Sequence, residues 1–521
     1  MSRKLGILLC IFGLAAVVAH LLGWALPTLR WFYGFDASEE GLKSASWWTQ
    51  NRGEVIGHVL ACATVALGAL LIVRPPPAIP HTQRHIKRVR SVGRGWVSVL
   101  ILITLVGLAL FDQALVGKRA IAVKHEGKWH FPALVDKPFS EEDFGGSGKE
   151  EANYRELKKR FKQSGSGNVV IMPPVPYDPT FDSDNELREP LELRDGLHYK
   201  TGSSKPYSGL GYRFYAEDTS RRYSMMKYRK GIAQGREEIF SINGDPAVEY
   251  QWTNGKRYPE PTKGLALAAE FEAIEATGLY ARTCAPLPPS WENGHYLGTD
   301  SRGWDVLAQL YGGLQVVIQA AIIYLLVTYS VGLTLGCIMG YFGGTVDIAL
   351  QRFIEILANV PFLYVVIIIA DRIGRDNITL VTILLVICIF SWIGTTYYMR
   401  TATYREKAKD YVAAARLLGA SPMRVIFRHV LPNAISIVVT LLPFSVAAII
   451  TSLTALDFIG FGLPDQYPSW GRLLSDGVTN VDTPWIVSSV FAGMVAVLLL
   501  ITFVGEAIRE AFDPKKFTTY R

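Results

Sequence analysis

Thr299, Asp300 and Asp305 fall within seven residues of one another in HYLGTDSRGWDVLAQLYGG, which starts at His295. Oxygen ligands grouped in this way could hold a hard cation. No His or Cys is read at ligand spacing around them, so the three are expected to cap and turn the chain, with no metal bound. Phosphate chemistry is also unsupported. Gly148-Lys149 is followed by Glu150 and Gly255-Lys256 by Arg257, where a phosphate-cradling loop needs Ser or Thr. His58 lies in an apolar run and reads as a packed residue, not a catalytic one. The chain therefore has no evident covalent chemistry or cofactor of its own.

A different kind of chemistry is legible in DYVAAARLLGASPMRVIFRHVLPN, from Asp410 to Asn433. Lys407 to Leu418 are mostly helix formers, and Gly419 can take the left-handed conformation that ends a helix. Ser421 and Pro422 supply an N-cap and a first helical position. The expected form is helix, elbow, helix, with the second helix ending near Pro432. Val412, Leu417 and Leu418 offer contact and Arg416 edges the surface, so the first helix suits a groove on another protein.

The elements that carry this loop are apolar. The chain has 521 residues, half of them hydrophobic, and a mean hydropathy of +0.21. Membrane spans combined with a sizeable water-facing part explain that balance. Eight segments are about as long as a helix needs to cross lipid: Leu5–Leu26, Val55–Val73, Trp96–Val116, Leu314–Phe342, Ile348–Ala370, Ile378–Met399, Ala434–Phe458 and Trp485–Val504. The first could be a cleaved signal, since Arg3 and Lys4 precede it, but its length is nearer a span. Of five cysteines, Cys10, Cys62, Cys337 and Cys388 lie in apolar runs and Cys284 in a polar one, so no disulfide framework is implied.

Lys and Arg set the orientation. Arg84, Lys87, Arg88, Arg90 and Arg94 precede the third segment, and seven basic residues lie between Arg400 and Arg428. Both loops are expected in the cytoplasm, which puts both termini inside and Lys118–Leu310 outside, with short outer loops near Asp36, Arg372 and Asp476. The formal charge of +7 is then topology, not nucleic-acid binding.

Within the spans, Asp347, Arg352 and Glu355 are expensive unless paired or hydrated. Arg352 and Glu355 are three apart and can pair. They serve either gating and subunit contact or simple pairing near the headgroups. Asn359 and Pro361 follow, and the proline should bend the helix, either to line a pathway or through ordinary packing.

Residues 117–310 are too polar for lipid and too long for a plain loop. Asp-Gly, Lys-Gly and Asn-Gly pairs between short alternating segments predict stacked hairpins in a small meandering sheet. Residues 195–258 resemble MORN-like repeats, which implies a binding or spacing module.

Ala414, Ala415 and Gly419, followed by Leu431-Pro432, make the loop at 400–433 similar to the coupling loop of binding-protein-dependent ABC import permeases. The usual Glu of that family is Ala413 here. HYLGTDSRGWDVLAQLYGG, with Gly298, Thr299, Asp300, Gly303 and Asp305, resembles the segment before the first long core span of dipeptide and oligopeptide permeases. LDFIGFGLPDQYPSWG, with Gly460, Gly462, Pro468, Trp470 and Gly471, resembles their outer mouth. GKWHFPAL from Gly127, EDFGG from Glu142 and GEAIREAFDPKKF from Gly505 look like the microcin C and oligopeptide subfamily.

The resemblance implies an all-α polytopic permease of the type I ABC importer fold, with about eight spans and a mainly β extracytoplasmic insertion. Residues 1–94 would be an added two-span extension, 95–116 the first core span and 311–521 the rest of the core. It further implies a bacterial inner-membrane location, a second permease subunit, ATP-binding subunits that carry ATP and Mg, and an external solute-binding protein. Peptides or peptide-like compounds would be the substrate. The rival reading is a membrane-anchored binding or sensor protein, which five closely spaced core spans do not suit.

Overall fold

The computed structural model describes residues 2–22, 47–73, 88–135, 138–146, 151–164, 167–180, 182, 187–200, 204, 206–216, 222–241, 246–262, 267–272, 274, 276–283, 286–291, 294–373 and 378–512. The expectations for Asp36, Arg84, Lys87, Gly148-Lys149, Cys284 and the end of the first apolar run lie outside these residues. Two compact units are present. One comprises residues 1–117, 178–181 and 306–521, and the other 118–177 and 182–305.

The first unit is helical. It begins with α1 (Ser2–Leu21), α2 (Trp47–Val73) and α3 (Gly93–Ala109). Small residues let α1 and α2 approach closely: a Cβ on Gly13 would come within 2.7 Å of Val65 Cγ2, and one on Gly68 within 2.7 Å of the Gly6 carbonyl. His58 is not solitary there, because its ring meets that of His20 edge-on at 5.3 Å.

After the second unit come α5 (Val306–Phe342), α6 (Gly344–Ala358), α7 (Phe362–Ile373) and α8 (Leu380–Lys407). The short α9 (Asp410–Leu417) and α10 (Pro422–Val425) follow, then α11 (Leu431–Phe458), α12 (Trp470–Thr479) and α13 (Pro484–Phe512). Among the described residues four helices are long and apolar enough to cross a membrane: α5, α8, the Val438–Phe458 part of α11, and α13. Residues 344–370 make a fifth if α6 and α7 form one broken span, bent by 65°. These five cover the five core segments expected from sequence, whereas the three N-terminal segments form shorter apolar stretches at Gly6–Leu21, Gly57–Leu70 and Gly93–Ala109. Pro361 explains the bend: with no N–H to return to the Leu357 carbonyl, it leaves that oxygen to Val360 N at 3.1 Å.

The second unit holds α4 (Tyr154–Ser164) and two sheets. In the smaller sheet, β1 (Ala122–His125) is flanked antiparallel by β2 (Lys128–His130) and β3 (Val169–Ile171). The larger contains β4 (Leu187–Arg194), β5 (Leu197–Lys200), β6 (Gly209–Phe214), β7 (Arg222–Arg229), β8 (Ile232–Phe240), β9 (Pro246–Thr253), β10 (Lys256–Arg257) and β11 (Tyr280–Thr283). Its order is β10-β9-β8-β7-β6-β11-β4-β5, so consecutive hairpins are broken only where β11 inserts between β6 and β4. Asp195-Gly196, Lys230-Gly231 and Asn254-Gly255 all have both φ angles between 50° and 80°, the left-handed pair that a two-residue hairpin turn requires.

Candidate coupling site

In α9 the spacing of small and large residues separates two faces. Val412 and Ala415 are buried, in a cluster with Val425, Ile426 and Val430. Ala413 and Ala414 point outward, while Leu417 and Leu418 are 89% and 88% exposed. Val412, expected among the contact residues, instead anchors the helix to its own subunit. It lies two residues from Ala414, on the opposite face of a helix with about 3.6 residues per turn. The outward surface is therefore Ala413, Ala414, Leu417 and Leu418, two small residues beside two large apolar ones.

Gly419 ends α9 at φ +78°, and the Ala420 N–H returns to the Ala415 carbonyl at 3.0 Å. That closes the terminal turn as a left-handed C-terminal cap does. Ser421 Oγ then accepts from Arg424 N at 3.4 Å, with Pro422 at the first helical position of α10. The expectation that the second helix ends near Pro432 is corrected. A π-helical turn at Ile426–Val430 runs into α11, where Leu431-Pro432 occupy the first turn. A π turn already displaces the regular i to i−4 bonds, so a proline lacking N–H is accommodated just after it.

Charged residues hold the base of the loop. Arg416 turns back to donate from Nε to Tyr341 Oη at 3.1 Å, with its guanidinium 4.8 Å from the ring centroid. Lys407 Nζ lies 5.8 Å from the same centroid. Tyr411 Oη donates to Glu406 at 2.7 Å, and burial together with that carboxylate pushes the Tyr411 hydroxyl up to about 12. Asp347, in the first turn of α6, accepts from Arg400 Nε and Nη2, both at 2.6 Å, and from Tyr404 Oη at 2.6 Å. The sequence grouped Asp347 with Arg352 and Glu355. The structure joins only the latter two, at 2.6 Å, and gives Asp347 to α8.

The other candidate residues lie elsewhere. Asp457, which sequence reasoning missed, organises the turn after α11: it accepts from Leu463 N at 2.6 Å and from Ser469 Oγ. Gly462 is required there, since a Cβ would fall 1.7 Å from Asp457 Oδ1. Gly460 takes φ +81°, and a Cβ on Gly471 would meet the Thr454 carbonyl at 2.1 Å. Pro468 and Trp470 sit against Gly312 and Gly313 of α5, with Trp470 Nε1 donating to the Leu310 carbonyl at 2.9 Å.

In the second unit, Thr299 Oγ1 accepts from Leu287 N, and Asp300 Oδ1 accepts from Arg302 N and Trp304 N. Gly298 and Gly303 take positive φ around them. Asp305 does have a histidine partner: His295 Nδ1 is 2.8 Å away, and its ring stacks on Tyr177 at 4.1 Å. Ten residues separate the pair along an irregular segment, which no periodicity connects.

A bundle of apolar helices, several of them long enough to cross a membrane, defines a class, the polytopic membrane protein, and here it carries one short helix with an exposed apolar end. Residues 332–518 match the family described as binding-protein-dependent transport system inner membrane component. The chain is 31% identical over 454 residues to the peptidoglycan transport system permease protein YejE of Agrobacterium fabrum, covering 86% of this chain and 97% of that one. It is 29% identical over 439 residues to the inner membrane ABC transporter permease protein YejE of Escherichia coli, covering 84% and 98%. The oligopeptide transport system permease protein OppC of Lactococcus lactis is 35% identical over 229 residues, 43% of this chain and 77% of that one. The chain belongs to this family of binding-protein-dependent ABC transporter permeases, as a multi-pass inner-membrane component and not itself an enzyme.

Proposed function

We propose that the chain forms half of the translocation pore of an ABC importer for peptides or peptide-like compounds. The observation that carries this reading is the outward face of α9, with Leu417 and Leu418 almost wholly exposed on a helix otherwise fixed to the core. Apolar side chains left so exposed suit a groove on an ATPase subunit. The relatives named for peptidoglycan and oligopeptide transport support the substrate class. A second permease completes the pore, two ATP-binding subunits carry ATP and Mg, and an external solute-binding protein delivers the cargo. The unit of residues 118–177 and 182–305 is extracytoplasmic in this reading, both termini are cytoplasmic, and the MORN-like part of that unit serves as a binding or spacing module. An anchored binding or sensor protein is not favoured, because the similarity runs through the helical core.

Affinity purification of the chain from its native membrane, with mass identification of what comes with it, tests the proposal. An ATP-binding subunit and a second permease are expected. Their absence, with no loss of peptide uptake in a strain lacking the chain, would remove the reading. A reporter fused after Gly145 should be active outside the cytoplasm, and one fused after Lys407 inside.

A further inference from the structure

The outer face of the smaller sheet is apolar, where an antiparallel sheet with one packed face is ordinarily polar. Val123 of β1 and Val170 of β3 point inward, buried in a cluster with Phe144, Tyr154, Leu157 and Phe161. Strand alternation sends their neighbours the other way. Lys124 has Trp129 of β2 as its register partner on one side and Val169 of β3 on the other, so the three form a row across the sheet. Ile171 lies beside Ala122 in the next row of that face, and Phe131 follows directly after β2. Trp129, Phe131, Val169 and Ile171 are each 45–50% exposed. Coupling to an ATPase gives these residues no use, although Trp129 and Phe131 belong to the GKWHFPAL motif.

Contiguous apolar surface of this kind marks a contact, and its chemistry suits a bilayer surface better than a soluble protein. Aromatic rings beside a lysine settle at headgroup level, with the rings in the acyl boundary and the ammonium among phosphates. Lys124 is partly buried in the middle of the apolar row, so its stem covers the rings' neighbourhood while its ammonium reaches outward. Glu126, the one carboxylate of the hairpin at 122–130, lies in the turn and off this row. The centre of a protein interface would instead disfavour a lysine. Lipid is also the permanent neighbour of this unit. β1 starts thirteen residues after α3 ends, at Ala122 against Ala109, and Asp305, the last residue of the unit, immediately precedes α5.

We propose that the outer face of β1, β2 and β3, with Trp129, Phe131, Val169 and Ile171 around Lys124, rests on the phospholipid surface of the membrane that holds the helices. Its apolar side chains enter the acyl boundary and Lys124 meets anionic headgroups. That the leaflet is the outer one rests on the topology proposed above.

The test uses the full chain in vesicles of phosphatidylethanolamine and phosphatidylglycerol, with its five natural cysteines replaced. A fluorophore on Val169→Cys is compared with the same fluorophore on Leu193→Cys, an exposed apolar site of β4. Lipids carrying a nitroxide just below the headgroup should quench the label at 169 about threefold more strongly than the label at 193. Trp129→Ser with Phe131→Ser, or Lys124→Glu alone, should remove about half of that quenching while the circular dichroism stays the same. Equal quenching at the two positions overturns the proposal, as does quenching at 169 that these substitutions leave unchanged. A label at 169 that is shielded only once the second permease or the solute-binding protein is added overturns it too, since the face would then be a protein contact. None of these readouts needs transport, so a chain that retains no ATPase subunit and moves no peptide counts against the transport reading alone.

Discussion

Asp347 and Arg400, 53 residues apart in sequence, face each other in a two-pronged ion pair with both N···O distances at 2.6 Å. The pair ties the first turn of α6 to the last two turns of α8, immediately before the exposed helix α9. A bidentate Arg–carboxylate pair fixes orientation as well as distance. The start of α6 is therefore clasped to the end of α8 that leads into α9.

Asp347→Asn should uncouple the two ends of that linkage. The amide keeps the shape but loses the charge and one acceptor, and a partly buried charged hydrogen bond of this kind contributes about 1.5–3 kcal/mol. Purified complex should melt earlier in detergent, and uptake should fall while ATP hydrolysis persists. Unchanged uptake would mean that the clasp is only structural.

Gly419→Val should abolish uptake and ATPase retention while leaving membrane insertion intact. No atom lies within 4 Å of the place a β carbon on Gly419 would occupy, so the penalty comes from φ +78° alone, about 1–3 kcal/mol for a β-branched residue. Gly419→Asn, which tolerates that region better, should retain more of both. Equal loss in the two variants would point to a requirement for bare backbone at the elbow.

Leu417→Ser combined with Leu418→Ser removes only exposed apolar surface. The solubilised permease should keep its melting temperature, yet lose the ATPase subunit during purification. Ala414→Asp should act alike by placing an unpaired charge in the contact. Val412→Ser is the contrasting variant, because its side chain is fully buried, and it should lower the melting temperature itself.

Alkali should loosen the larger sheet through Tyr228. Burial pushes its hydroxyl from 10.0 up to about 12, so the folded chain holds the proton after the unfolded chain has released it. The resulting stability is complete below pH 10.0 and declines as pH rises towards about 12. Ultraviolet titration of tyrosinate alongside circular dichroism should register this, and Tyr228→Phe should remove part of the decline. A sheet whose alkaline unfolding is the same in both proteins would contradict it.

Much of the loop at 400–433 was legible because its signals are local. Gly419 marks the elbow, Ser421-Pro422 the restart, and the Gly-containing pairs the hairpin turns, each through the φ that its own residue prefers. Contacts between distant segments left no such mark. Nothing in the spacing joins Asp347 to Arg400, or Asp457 to Ser469 across a turn folded around Gly462. Pro432 misled for the opposite reason: its usual meaning as a helix end was overridden by a wider turn just before it. Val412 read as a contact residue because apolar character alone does not tell which side of a short helix meets the core.

The wider turn at Ile426–Val430 has a consequence for how this chain can vary. It is one residue longer than the α-helical turn it replaces, and α11 begins directly after it. Loss of one residue there would rotate α11 by about 100° and draw it in by about 1.5 Å. Ser445 would leave Tyr329 of α5, its hydrogen-bonding partner at 2.8 Å, and Ile449 and Leu453 would turn off the cluster they share with Leu384 of α8. Changes in length between Gly419 and Pro432 should therefore almost never be found among working copies of this gene.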